Sequence, residues 1–492
     1  MPRAVLTIAA VVVAALHHPR LAHAQGLERR VQGAVPAAGG TVILSFAARE
    51  GVCGDGATLV AEGLGPNELA VYHFQGTTSG NFGEMSGIFT TTDGDLAARC
   101  RPGPVFVALD LVGGRVTAVR TAVGARRRAG ASGADLGTVS AAEAAAYLMS
   151  VAPGMDERQG RFALLAANVA DSARLVPPLL GLARDRGNAR WLREGALRWL
   201  GRAADRGEGT PALDAGMRAI AADARDEPAV RERAVRVLPP TPENDAFLRS
   251  LYAGDAPTDL RERIIRVLAE HRGDANASWI EGIATRDDEP LGLRERAVRA
   301  LAEEMGRPER VRALYPRLRE PALRERALRA TAEGGGADAA RWLRQVAEDR
   351  QEHEVVRERA VRLLGERGDV AYLRALYPRL DAVSLRERVL RSVGERSDEE
   401  ARAFLRTVAL DANESSGLRE RAVRVIAESG ATGAELARLY DAIPDQAVRV
   451  RLVNLLAERG DREAIAKLRA IATSDPDAEV RRRAVRKLAE RE

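Results

Sequence analysis

For a chain of 492 residues, this one has little cysteine, histidine or aromatic content: two Cys, six His and 4% Phe, Trp and Tyr. Lysine is scarcer still, occurring only as Lys467 and Lys487, so every other cation is arginine. Long apolar runs are also missing. Ala4–Leu16, thirteen residues interrupted only by Thr7, is the one extended apolar run, too short for a hydrocarbon layer of about 30 Å. These absences exclude several classes. No His or Cys stands at zinc-ligand spacing, no nucleophile–base motif is present, and no Gly-rich loop ends in Gly-Lys-Ser/Thr. No catalytic, cofactor-binding or metal-binding residue is assigned, and no cofactor is expected.

What is present begins with a secretory pattern. Arg3 is a positive start, Ala4–Leu16 an apolar segment, and Ala22-His-Ala24 supplies small residues before Gln25. Residues 1–24 therefore read as a signal peptide cut after Ala24, with the mature chain periplasmic or extracellular and without a membrane span. Removing Arg3 and Arg20 takes the formal charge from +5 to +3 (5 − 2). Such a balance of arginines and carboxylates is weak support for a nucleic-acid partner.

Residues 25–125 read as a small antiparallel β domain. Candidate strands are Thr41–Ala48, Ala57–Glu62, Leu69–Phe74, Val105–Leu111 and Arg115–Thr121, with Gly113-Gly114 as a two-residue hairpin turn. Both cysteines, Cys53 and Cys100, lie here, and in an exported chain two cysteines in one small module pair. A metal-binding or catalytic thiol is the competing reading; His73, His271 and His353 are at ligand spacing with neither. The segment Gly76–Gly87 resembles a phosphate loop in glycine content only and reads as a loop between strands. Residues 126–139, opening on Arg126-Arg-Arg128, read as a linker.

From about residue 140 the chain is repetitive. The phrase Leu293-Arg-Glu-Arg-Ala-Val-Arg-Ala-Leu-Ala-Glu303 has copies starting at Leu192, Val230, Leu260, Leu323, Val356, Leu385, Leu418, Val448 and Val480. From Val230 the steps are 30, 33, 30, 33, 29, 33, 30 and 32 residues, so the true unit is a pair of repeats. Tyr252, Tyr315, Tyr377 and Tyr440 recur in one member of the pair; Trp279, Trp342, Phe404 and Lys467 stand in register in the other. On a helical wheel Leu260, Ile264, Val267 and Leu268 share a face, flanked by Arg261 and Arg263, whose stems can lie on the rim while their guanidinium groups reach water. Glu262, Arg266 and Glu270, spaced i, i+4, i+8, point away and can pair within the helix. A lone helix cannot bury such a face, so the copies must stack. Ala141–Val151 with Asp156–Val169, and Ser172–Arg184 with Ala189–Ala204, read as the first helix pairs.

The two-helix period, Pro316 and Pro378 near the ends of first helices, and the junction Asp475-Pro-Asp-Ala-Glu-Val-Arg481 resemble the HEAT-repeat family, including the HEAT-like repeats of phycobilisome lyases. The resemblance covers roughly residues 140–492. It implies a mainly α, armadillo-type fold: an α-solenoid of about eleven helix pairs behind the β domain, with second helices lining a concave face.

The chemistry repeats with the phrase. Glu262, Glu295, Glu325, Glu358, Glu387 and Glu420 run beside Arg266, Arg299, Arg329, Arg362, Arg391 and Arg424. A residue present in every repeat serves the repeat, so this strip is either self-neutralised surface or a partner-binding strip. The tyrosine series reads as packing residues with hydroxyls at the surface, or as an aromatic ladder. Val450, Asn454 and Arg481-Arg-Arg483 depart from the pattern: a relaxed terminal repeat or a basic patch. The expected function is a non-catalytic scaffold or adaptor for an unidentified protein partner in the export compartment. The alternatives are a polyanion binder using the arginines, and an enzyme or enzyme-accessory protein of the lyase-like kind suggested by the family name.

Overall fold

The computed structural model describes residues 19–55, 59–65, 68–73, 88–90, 100–124, 133–333, 336–368, 370–396 and 398–490. The segments Gly76–Gly87 and Arg126–Arg128 lie outside the described residues. The chain forms two compact units, Met1–His271 and Arg272–Glu492.

The first unit opens with helix α1 (Pro19–Gly33), which runs through Ala24. Leu27 and Val31, one turn apart, are fully buried, and this i, i+4 pair makes residues 25–33 helical where the start of the β domain was expected. Strands β1 (Gly40–Phe46), β2 (Val52–Gly54), β3 (Leu59–Gly65), β4 (Glu68–His73), β5 (Ile88–Thr90), β6 (Val105–Val112), β7 (Arg115–Val123) and β8 (Ala134–Thr138) follow. They form two four-stranded sheets, ordered β7-β6-β1-β8 and β2-β3-β4-β5. All pairings are antiparallel except β1 with β8, which is parallel. β8 lies inside the segment read as linker, and its Thr138 faces Ser45 at 3.1 Å between hydroxyls. Gly113 and Gly114 take φ of +56° and +74°, the left-handed turn that joins twisted hairpin strands. Cys53 and Cys100 form a disulfide with Cα atoms 5.2 Å apart. Beside it Gly54 and Arg101 exchange backbone hydrogen bonds of 3.1 and 2.9 Å.

Then come the helix pairs of this unit: α2 (Ala141–Val151) with α3 (Glu157–Asn168), α4 (Val176–Arg184) with α5 (Arg190–Ala203), α6 (Pro211–Ala222) with α7 (Pro228–Arg236), and α8 (Pro242–Ala253) with α9 (Thr258–His271). α1 packs on α2, and α3 packs on β7, where the Val119 N–H donates to Gln159 Oε1 at 2.9 Å. Sheet and helices are thus one body here. The second helices stack in sequence, α3 on α5 on α7 on α9.

The second unit continues with α10 (Asp274–Thr285) and α11 (Leu291–Ala302), α12 (Pro308–Leu314) and α13 (Pro321–Glu333), α14 (Gly336–Glu348) and α15 (Glu354–Glu366), α16 (Val370–Leu376) and α17 (Val383–Gly394), α18 (Glu399–Leu410) and α19 (Ser416–Glu428), α20 (Gly433–Ala442) and α21 (Gln446–Arg459), and α22 (Arg462–Ser474) and α23 (Ala478–Ala489). Again each second helix packs on the next, from α11 to α23. Among the described residues α2 to α23 make eleven pairs, as the repeat arithmetic anticipates.

Burial follows the phrase. Its first position is buried in all ten copies, and so is its fifth, from Ala196 to Ala484. The sixth position is buried as well, in Leu197, Val235, Ile265, Val298, Leu328, Val361, Leu390, Val423 and Val453. A single helical face does not account for positions five and six together. The second helix is covered from two sides, by its own first helix and by its neighbours in the stack. Backbones come close enough that a Cβ on Gly394 of α17 would overlap Val425 Cγ1 of α19.

The second-position arginines correct the helical wheel. Arg193, Arg231, Arg294, Arg357 and Arg419 do not reach water; they are buried, Arg193 to 1% exposure. Each donates its Nε–H to the carbonyl ten residues earlier, Ala183, Ala221, Ala284, Ala347 and Ala409, at 2.9–3.2 Å. They close the turn between the two helices by satisfying a carbonyl at the end of the first. Arg324, Arg386 and Arg449 do the same with the carbonyl six residues earlier, Leu318, Leu380 and Ile443, at 2.7–3.0 Å. These two closures belong to longer and shorter turns, 286–290 against 318–320, the latter following a 3-10 turn, Tyr315–Arg317, that extends α12. That difference contributes to the alternation of 33- and 30-residue steps.

Candidate functional site

In the expected ladder, each Glu pairs with the Arg four residues on in its own helix. The structure pairs them between helices instead. Glu295 meets Arg326 at 3.2 Å, Glu325 meets Arg359 at 3.0 Å, Glu358 meets Arg388 at 3.4 Å and Glu420 meets Arg451 at 3.5 Å. In the first unit Glu232 meets Arg263 at 3.3 Å. The third-position Glu of one repeat thus holds the fourth-position Arg of the next. Adjacent second helices lie side by side, so that partner is nearer than the one a turn along. The wheel of one helix cannot register this, since it contains no neighbour.

The seventh-position arginines remain outside these pairs. Arg299 and Arg362 reach Glu303 and Glu366 at 3.9 and 2.8 Å. Arg329 and Arg391 are exposed and Arg424 half-buried, as are Glu262 and Arg266 exposed on α9. Glu387 is half-buried on α17 without a salt bridge to Arg421, the fourth-position arginine of the following helix. Burial, then the like charges of Arg391 and Arg424, lower the Arg421 pKa from its ordinary value. The Nε atoms of Arg421 and Arg424 are buried without a hydrogen-bond partner.

The first unit has the same break. Glu194, third position on α5, bonds Arg190 at 3.8 Å rather than Arg233 on α7. Burial, then Arg198 and Arg236, lower the Arg233 pKa. A cavity of about 430 Å³ opens at this point among α5, α7 and α9, lined by Arg190, Glu194, Glu232, Arg233, Arg236 and Arg263. A smaller one of about 190 Å³ lies in the second unit at Glu295, Glu325, Arg326 and Arg329.

The tyrosines are packing residues, but their hydroxyls are internal and not at the surface. Tyr315 donates to Glu352 at 2.7 Å and Tyr377 to Glu414 at 2.9 Å, and Tyr440 donates to Asp475. Arg324, Arg386 and Arg449 lie over the three rings at 5.4, 5.5 and 5.2 Å and bind the same acids. Burial raises the three tyrosine pKa values, with the bonded carboxylate adding to it. Burial works against ionisation of Glu352, yet the Tyr315 and Arg324 bonds hold it below its ordinary pKa. Trp342 and Phe404 meet the Tyr315 and Tyr377 rings edge-on at 5.1 and 5.5 Å, and Lys467 stands 5.3 Å over Tyr440. The register of the two aromatic series is therefore a contact.

The terminal arginines are engaged. Arg481 donates to the Asp475 carbonyl at 2.6 Å, Arg482 to Ala478 at 3.3 Å and Arg483 to Asn454 at 3.0 Å. His271 bonds Asp245 at 2.6 Å and the Leu238 carbonyl at 3.1 Å, tying α9 to α8. Among the described residues no group of three or more His, Cys, Asp or Glu is placed to hold a metal ion, and no helix is long and apolar enough to cross a membrane.

No family model matches the chain, and no curated protein matches it in sequence. Among solved structures it is similar to human deoxyhypusine hydroxylase in complex with glycerol (17% identity, 57% of this chain and 96% of that one, TM-score 0.22). It is also similar to yeast importin-beta (14% identity, 71% and 54%, TM-score 0.27). A third is UNC-45 from Drosophila melanogaster (12% identity, 70% and 70%, TM-score 0.26). At such scores and identities none of them bears on what this chain binds.

Proposed function

We propose that the chain is a non-catalytic scaffold that docks a protein along its second helices. The observation that carries this is an apolar edge beside the ion-pair strip. Leu291, Val355 and Val383 stand at the N-terminal ends of α11, α15 and α17, with 44%, 48% and 57% of their surface exposed. These helices belong to one continuous stack in the second unit. A partner covering the edge would bury apolar surface and meet the exposed seventh-position arginines at its rim, the division of labour usual in protein interfaces. The strip itself is largely neutralised by Glu–Arg pairs between repeats, which speaks against a polyanion binder. The single large exposed apolar residue on the sheets is Val112, among the described residues.

The scaffold acts, in this reading, in an oxidising export compartment. The leader pattern at Ala4–Ala24 and the Cys53–Cys100 bridge both support that. Photoreactive residues placed singly at Val355 and Val383 in the native host test the docking edge. A discrete adduct with one protein from both sites, absent from Val112, is expected. Adducts from Val112 alone would move the role to the sheets and refute the reading.

A further inference from the structure

We infer that the cavity walled by Arg190, Arg233, Arg236 and Arg263 is a carboxylate-binding site for an acidic segment of a partner protein. The inference rests on the scaffold reading and adds the chemistry of the partner. Two of the four arginines are already committed: Arg190 to Glu194 at 3.8 Å and Arg263 to Glu232 at 3.3 Å. Arg233 and Arg236 are not. Among the described residues neither has a carboxylate at salt-bridge distance, although Glu194 stands on the adjacent helix. Arg263, Arg326, Arg359, Arg388 and Arg451, fourth-position arginines of other repeats, are each held by a glutamate of the preceding repeat; here that step is open and a space of about 430 Å³ stands beside it.

Crowded like charges in a partly desolvated recess are unfavourable by themselves, and an anion relieves them. The charge pattern recurs in the second unit, where Arg391 and Arg424 are the like charges acting on Arg421 and buried Nε donors of Arg421 and Arg424 lack partners. The same pattern of like charges at two steps of the ladder indicates a device, not an accident of one loop. Arginine forks suit bidentate carboxylate binding. A nucleic acid fits poorly, because the neighbouring steps of the strip are neutralised by Glu–Arg pairs, so a continuous chain of phosphates would find unpaired arginines at this one recess and not along a track. The volume exceeds what one inorganic ion fills and suits one or two acidic side chains of a peptide.

The probe is a fluorescein-labelled hexaglutamate peptide, followed by anisotropy at low ionic strength. The full chain carries Arg421→Gln and Arg424→Gln throughout, so that one site is read. Adding Arg233→Gln and Arg236→Gln is expected to weaken binding at least tenfold. Arg225→Gln, an exposed arginine outside the cavity, is expected to leave it unchanged. The cavity variant should melt at the same temperature or higher, since it relieves like-charge crowding. Absence of peptide binding, an equal loss with Arg225→Gln, or a lower melting temperature of the cavity variant would overturn the site. So would displacement of the peptide by oligothymidylate or inorganic phosphate at lower concentration than by unlabelled hexaglutamate. A partner still cross-linked at Val355 in the cavity variant, with the peptide failing to bind the starting protein, would overturn this inference and leave the scaffold reading standing.

Discussion

Replacing Asp226 by Asn, or Arg193 by Met, should destabilise the first unit more than almost any other polar change. Arg193 binds Asp226 with both guanidinium nitrogens, Nη1 to Oδ1 at 2.7 Å and Nη2 to Oδ2 at 2.5 Å, while its Nε holds the Ala183 carbonyl at 2.9 Å. Both side chains are almost completely buried. Removing one member strands a charge away from water, which costs about 3–5 kcal/mol. With a urea slope on the order of 2 kcal/mol per M, the midpoint of the first unit's transition should fall by roughly 1.5–2.5 M. The double variant Arg193→Met with Asp226→Leu removes both charges and fills the space, so most of the loss should return. Acidity supplies a second readout. Burial disfavours the Asp226 carboxylate, but the Arg193 bonds outweigh it and hold the pKa below the ordinary value. A depressed carboxyl contributes stability that is complete above the unfolded-state pKa near 4 and is lost as pH falls through the folded value. The Asn variant should therefore lose less stability than the parent on acidification below about pH 4. Urea denaturation followed by circular dichroism measures all of this. Single variants each costing under about 1 kcal/mol, or effects that add in the double variant without coupling, would refute the bracket as a support of the stack.

Three further outcomes are expected. Val423→Ala, at a fully buried sixth position, should cost about 2 kcal/mol, whereas Val485→Ala, the same phrase position at 54% exposure, should cost less than about 0.5 kcal/mol in the same denaturation assay. Gly394→Ala should destabilise the second unit by about 1–3 kcal/mol, because its Cβ would collide with Val425, and Val425→Ala should recover part of that loss. Tyr147, Tyr315, Tyr372, Tyr377 and Tyr440 are all raised by burial, the last four also by a bonded carboxylate. A raised phenol contributes stability that is complete below the unfolded-state pKa near 10 and lost as pH rises through the folded value. Ultraviolet titration should accordingly show fewer than half of the seven tyrosines ionised at pH 11 while the chain remains folded, and all of them once it unfolds.

The regular parts of this molecule were legible because they depend on spacing. The copies from Leu192 to Val480 name ten of the eleven second helices, all but α3, and the 63-residue pair period names the tyrosine and tryptophan register. Gly113-Gly114 marked its hairpin for the same reason: a positive φ at both residues is a local demand. Three of the features that were not legible show why. The buried arginines at the second position look on a wheel like rim residues, since their partner is a carbonyl six or ten residues back across a turn. The wheel assigns the Glu–Arg ladder to single helices because the competing partner, one repeat away, has no position on it. β8 escaped because Ala134–Thr138 is short and Gly-containing, and gains its strand character only from the β1 edge beside it.

That these helices stack, in pairs and in a given order, follows from the residues alone, because an amphipathic phrase repeated at fixed intervals can bury its apolar face only against another copy. Which charges are paired inside the stack and which stay free follows only from how the helices pack. That choice depends on distances between side chains about thirty residues apart, set by the packing of neighbouring helices, and so Arg233 and Arg421 became distinct from every other arginine in the same position.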